Sequence, residues 1–296
     1  MNETKNDTIV KALSFDGSIR IYAAQTTGLV NVAQQTHHTY PIPTAALGRT
    51  LTAAAIMGAM MKGDNESVTI QIKGDGPMGG LTVVGNSKSE VKGYVNVPDV
   101  HLESAKPGKL NVGGAIGKGT LSIMRDLGLK EPYIGQVPLV NGEIAEDLTY
   151  YYASSEQIPT AIALGVLVEP DGSVSHSGGF ILQLMPEASE ADAEKLENIM
   201  KTLPPVTDML KNGMSAEDIL LKATEGFNML IDNHHITPEY ACNCSRSKME
   251  KALISLGKKE LKAIIEEQGQ AELNCHFCNN KHLFTKSDLE RLIKSI

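Results

Sequence analysis

Tryptophan is absent from the 296 residues, and aromatic side chains make up only 4%. Proteins that hold single-stranded nucleic acid stack its bases on such rings, so that binding mode is poorly supplied. Positive charge is short as well. The 27 Lys and Arg face 35 Asp and Glu, a formal charge of −8. Neutralising phosphates requires an excess of the opposite sign, so no nucleic-acid partner is expected. No apolar run approaches the roughly 20 residues that cross a bilayer. The opening MNETKNDTIVKALSFDG lacks a basic start followed by an apolar core, the pattern of a secretory signal. The expectation is a cytoplasmic protein with no membrane partner.

Cysteine is scarce and unevenly placed. The four are Cys242, Cys244, Cys275 and Cys278, with none in the first 241 positions. Random scattering would put all four behind residue 241 about once in a thousand chains, so the clustering needs a cause. In a reducing cytoplasm, thiols serve as metal ligands, catalytic groups or redox sensors more often than as permanent disulfides.

What is present sorts into three regions. Hydrophobic residues reach 42%, enough for one large domain and a smaller one. Residues 1–186 are rich in Gly and β-branched side chains. SVTIQIK, GLTVVGN and EVKGYVNV alternate apolar and polar positions between Gly-rich turns, which predicts antiparallel strands. One helix is predicted from Pro43 and Thr44 to the residue before Gly63. Its sequence, AALGRTLTAAAIMGAMMK, is apolar on nearly every face, so it should lie buried against a sheet. The fold class expected is α+β, a β-rich N-terminal domain packed around a buried helix.

Residues 187–236 carry 10 acidic and 4 basic side chains. Ser189 with Asp192, and Ser215 with Asp218, read as capping boxes of two short amphipathic helices. Pro204 and Pro205 should end the first. Such helices need a surface to dock on, so this segment is expected to be a metastable linker. Residues 237–296 should form a small C-terminal zinc-binding domain. Helices are expected at SKMEKALISLG, KELKAIIEE and DLERLIKSI, with a hairpin around CHFC.

The cysteines form C-x-C, 30 intervening residues, then C-x-x-C. Four thiolates can surround Zn²⁺ tetrahedrally, and the loop between the pairs costs only logarithmically with its length. One zinc ion bound by Cys242, Cys244, Cys275 and Cys278 is the reading. His234, His235, His276 and His282 lie near enough in sequence to compete as ligands. In a region of about 60 residues, a structural zinc can supply on the order of 10–16 kcal/mol of apparent folding energy.

Patterns elsewhere that suggest enzymes fail on context. GDGPMG at 74–79 matches a dinucleotide fingerprint, but Pro77 and a following strand make it a hairpin turn. In GGAIGKGT, Val112 and Gly119 stand where a phosphate loop needs Gly and Ser or Thr. His37 and His38 have no ligand partner at recognisable spacing, and are expected to be structural or solvated. No catalytic residues and no further cofactor are expected, and the chain is read as a non-enzyme.

EYACNCSRSKMEKAL and ELNCHFCNNKHLF, together with TTGLVNVAQQTH, PTAALGRTLTAAAIMGAMMK, IKGDGPMGGLTV and GGFILQLMP, resemble the redox-regulated 33-kilodalton heat-shock chaperone family over nearly the whole chain. The resemblance implies a reduced, zinc-bound, inactive form. It implies that oxidants form disulfides Cys242–Cys244 and Cys275–Cys278 and release zinc. The linker then unfolds, and a homodimer holds unfolding client proteins without ATP. Between those two pairs, C-x-x-C closes with less strain than C-x-C, so Cys275–Cys278 should form first. Two other readings make different demands. A zinc-ribbon regulator of nucleic acid or a protein partner needs a basic, aromatic-bearing surface. A thiol oxidoreductase needs its C-x-x-C at the start of a helix.

Overall fold

The computed structural model describes residues 7–104 and 108–296, and they divide into two compact units meeting between Ala241 and Cys242. In the first unit the alternating apolar pattern produces two sheets. One has the order β10-β1-β2-β9-β8, from Thr8–Ser14 (β1), Ile19–Gln25 (β2), Thr160–Val168 (β8), Val174–Leu184 (β9) and Met229–Ile231 (β10). The other has the order β11-β5-β4-β3-β6-β7, from Ser67–Gly74 (β3), Leu81–Asn86 (β4), Glu90–Val95 (β5), Gly119–Asp126 (β6), Tyr133–Pro138 (β7) and Glu239–Tyr240 (β11). The three segments expected to be antiparallel strands are β3, β4 and β5, paired Ile70 to Val83 and Val83 to Gly93. The 74–79 segment is the β3–β4 connection, as its proline demands.

Helix α1 (Thr27–His37) follows β2, and α2 (Pro41–Ala59) lies between the sheets, against β2, β8 and β9 on one side and β3, β4 and β5 on the other. The fold is therefore α+β with a buried helix. Helix α2 starts two residues earlier than its sequence suggests. Pro41 takes the first helical position, where a residue with no N–H and a preset φ is favourable. Apolar side chains such as Leu47, Leu51 and Ile56 are fully buried, each worth about 1.5–3 kcal/mol in removed apolar surface. The packing needs backbone against backbone. A Cβ on Gly58 would sit 2.2 Å from the Asn86 carbonyl oxygen, and one on Gly85 would sit 2.7 Å from that of Ala54. Buried Thr50 and Thr52 return their hydroxyls to the Ala46 and Gly48 carbonyls one turn back, which leaves no polar group unsatisfied there.

Helices α3 (Val112–Ile116) and α4 (Ala145–Tyr151) complete the body of the unit, α4 running into a π-helical turn at Tyr152–Glu156. Asn111, not a phosphate, caps α3 through the Gly114 N–H. The acidic stretch folds within this unit as α5 (Glu190–Thr202), α6 (Val206–Lys211) and α7 (Ala216–Ala223). Both capping boxes form, Ser189 with Asp192 and Ser215 with Asp218. Pro204 and Pro205 end α5 as expected, and α6 begins at the next residue, a helix that spacing did not reveal. The surface they dock on is the five-stranded sheet, with α6 on β8 and β9 and α7 on β1 and β2. Val206, Met209, Leu210, Ile219 and Leu220 bury against Val10, Ile21, Phe180 and Leu182, on the opposite face from α2.

The second unit contains α8 (Arg246–Gln268), the hairpin β12 (Gln270–Asn274) and β13 (Lys281–Thr285), and α9 (Lys286–Ser295). Gly257, at φ 83°, breaks α8 into the two helices read from sequence. The core is small, formed by Leu253, Leu261, Ala271, Phe284, Leu289 and Leu292. Among the described residues, no helix is long and apolar enough to cross a membrane.

Candidate metal centre

The two halves of the cysteine pattern reach one place by different local structures. Cys242 and Cys244 sit in the extended stretch before α8, whose start is fixed by Ser245 accepting the Lys248 N–H. The Lys248 ammonium donates to the Asn243 carbonyl at 2.9 Å and ties down the link between the two thiols. Cys275 and Cys278 occupy the β12–β13 turn. There the Cys275 carbonyl accepts from the Asn279 N–H at 2.8 Å, while the Cys275 N–H donates to the Asn280 carbonyl at 3.0 Å. Asn279 takes the left-handed φ of 57° that closes this turn, a conformation Asn tolerates better than most residues. Arg246 braces the helix start against the hairpin. It donates to the Leu283 carbonyl and to Asp288, and stacks over Phe284 at 4.3 Å.

All four Sγ atoms lie within 4.8 Å of one another. Cys242 and Cys275 approach to 3.6 Å, Cys244 and Cys278 to 3.4 Å, and all four are free thiols. Metal–sulfur bonds of about 2.3 Å in a tetrahedron require sulfurs about 3.8 Å apart, so the residues fit one ion. The charge balance fits as well. Burial pushes the Cys242 and Cys278 thiols up. At Cys275 burial acts in the same direction but is outweighed by the Phe277 N–H and the neighbouring sulfurs, and that thiol is pulled down. Negative charge is resisted on more than one sulfur at a time, and a divalent cation among them removes that resistance.

Of the candidate histidines, His282 comes near, its Nε2 3.9 Å from the Cys244 Sγ. His276 is exposed in the C-x-x-C turn, and His234 and His235 are exposed after β10 in the first unit. The C-x-x-C pair sits in a hairpin turn, which is not the helix start a thiol oxidoreductase requires. His37 is structural, its Nε2 2.8 Å from the Tyr240 hydroxyl, which in turn donates to the Gly93 carbonyl. Sequence reasoning did not find Tyr240 or the two-residue strand β11 that carries it. Two residues give no periodicity to detect.

The family model described as Hsp33 protein matches residues 7–285. The chain belongs to the Hsp33 family. A 33 kDa chaperonin of Acetivibrio thermocellus is 50% identical over 290 residues, covering 98% of each chain. One of Desulforamulus reducens is 47% identical over 291 residues, again 98% of each. The crystal structure of the 33 kDa chaperonin (heat shock protein 33 homolog) of Thermotoga maritima matches with a TM-score of 0.91 at 36% identity, covering 98% of both chains. These Hsp33 relatives are named as chaperonins, not enzymes, and the chain is accordingly a chaperone with a C-terminal cysteine cluster. The cluster's geometry fits zinc binding and redox-sensitive disulfides.

Proposed function

We propose that this chain is a redox-regulated, ATP-independent holdase of the cytoplasm, inactive while Cys242, Cys244, Cys275 and Cys278 together bind one Zn²⁺. The observation that carries the reading is the convergence of four thiols within 4.8 Å in a unit whose own apolar core is small. Bound zinc supplies folding energy to such a unit. Oxidation by a hypohalous acid or a peroxide takes two electrons from each thiol pair, forms the Cys242–Cys244 and Cys275–Cys278 disulfides, and removes the thiolates that bind the metal. With all four sulfurs mutually within reach, the choice of pairs rests on the family likeness.

Loss of the second unit's fold then frees the segment 187–236, the metastable linker of this proposal, whose chain runs through β11 into Cys242. Helices α5–α7 are short and lie on the sheet by their apolar faces, so little besides that docking holds them. Their release uncovers Val10, Ile21, Phe180 and Leu182 on the sheet, and Met209, Leu210 and Ile219 on the helices. Flexible methionine-bearing surface suits varied clients, and the segment's 10 acidic residues against 4 basic oppose precipitation of the opened form. The active form is proposed to be a homodimer that binds unfolding proteins and carries out no catalysis, without nucleic-acid or membrane partners.

The test is aggregation of a heat-unfolded client, measured with the reduced chain and again after oxidation, with released zinc followed in the same sample. Suppression only after oxidation, with about one zinc lost per chain, is the expected result. Zinc loss without any protection of the client would rule out the holdase switch.

A further inference from the structure

We infer that the first unit carries a binding site for a small amphipathic anion, in a cleft at the C-terminal end of α2 lined by residues of both sheets. The cleft holds about 250 Å³. Its polar wall is formed by Arg20 on β2, Arg125 at the end of β6, and Tyr152. Its apolar wall is formed by Met57, Met60 and Met61.

Arg20 is the anchor. Its Nη2 donates to the side-chain Oε1 of Gln183 at 2.6 Å, but its Nε is buried with no partner in the protein. A guanidinium offers five donors in a fixed fork, and a buried N–H left unpaired is destabilising. That N–H is enclosed, so a carboxylate or phosphate oxygen in the cleft would meet the guanidinium's other donors. Arg125 donates to Glu156 at 3.1 Å and lies 5.9 Å from the centre of the Tyr152 ring. Burial raises the Tyr152 phenol, with Arg125 and Arg20 working against that rise and Glu156 adding to it. Lys62 adds a further cation to the lining, and the one carboxylate there, Glu66, accepts the Lys62 backbone N–H at 3.1 Å. Helix α2 ends at the cleft with its partial negative pole, about half a charge, and Glu156 offsets Arg125, so Arg20 and Lys62 supply the cleft's remaining positive charge. Anionic ligands are favoured by the one wall and hydrocarbon by the other. The volume suits a ligand smaller than a drug-sized molecule, such as a medium-chain carboxylate.

The test uses the reduced, full-length chain with methyl-¹³C methionine, titrated separately with octanoate, octanol and inorganic phosphate. Octanoate should shift the Met57, Met60 and Met61 methyl signals with a dissociation constant of about 1 mM or lower. Octanol and phosphate should be at least about tenfold weaker, because each meets only one wall. Arg20→Gln should weaken octanoate by about tenfold or more. If that variant does not fold, Met61→Glu, at the half-exposed rim, should abolish the octanoate shifts by placing like charge in the cleft. Absence of shifts with octanoate, equal shifts with octanol, or binding unchanged in the variant would each overturn the assignment.

Discussion

Single residues decide two separate matters in this chain, whether the proposed zinc can be held and how tightly the first unit holds at a given pH. Replacing Cys244 by Ser removes one of four thiolates. The expected outcome is loss of stoichiometric zinc by metal analysis and of the helical circular dichroism contributed by residues 242–296, with the first unit still cooperative on unfolding. Asp7 concerns the other unit. It is buried and accepts the N–H groups of Leu29 at 2.6 Å and Gly28 at 3.0 Å at the start of α1. Burial nevertheless pushes its carboxyl up to about 6 from 3.8, against those hydrogen bonds. A folded-state value above the unfolded one means the native protein binds the proton more tightly. The associated stability is full below about pH 4 and is lost as pH rises through about 6. Across that window wild type should lose up to about 3 kcal/mol relative to Asp7→Asn, measured by denaturant unfolding of both. A constant difference would place the ionisation elsewhere.

At the scale of elements, α7 is the clearest lever. Ile219 and Leu220 are fully buried on the sheet, whereas Leu221 is 45% exposed. Ile219→Ala should destabilise the docked helices by about 2–5 kcal/mol. Under the proposed function it should also let the reduced chain suppress client aggregation without oxidant, at a level rising with temperature. The same elements show what the sequence made legible. Capping boxes at Ser189 and Ser215, the proline stop at 204–205 and the glycine break at 257 are local chemistry, and each appears where its residues stand. The start of α2 at Pro41, the existence of α6 and strand β11 were not legible. A six-residue helix is too short for a periodic signal, and β11 owes its existence to pairing with β5, a contact distant in sequence. Polarity and spacing likewise showed amphipathic helices but not that they cover the five-stranded sheet, since docking partners leave no mark on the helix itself.

At the scale of the whole molecule, two units of unequal self-sufficiency share one chain. The first buries a helix between two sheets and has an extensive core. The second has six buried apolar residues in its core and four thiols gathered for an ion. The thiols were legible because their clustering is statistical and their chemistry is local. The Arg20 cleft was not, because its residues come from five distant stretches of sequence that only the fold assembles. Chelation of the reduced protein should therefore melt the second unit, seen as loss of its amide protection with α2 unchanged. The most direct test of the account is hydrogen–deuterium exchange on residues 190–223 and on α2, comparing reduced chain with chain oxidised to two disulfides. Loss of protection in α5–α7 with α2 still protected is the predicted result. Unchanged protection of α5–α7 in chain that has formed both disulfides and lost its zinc would contradict the account.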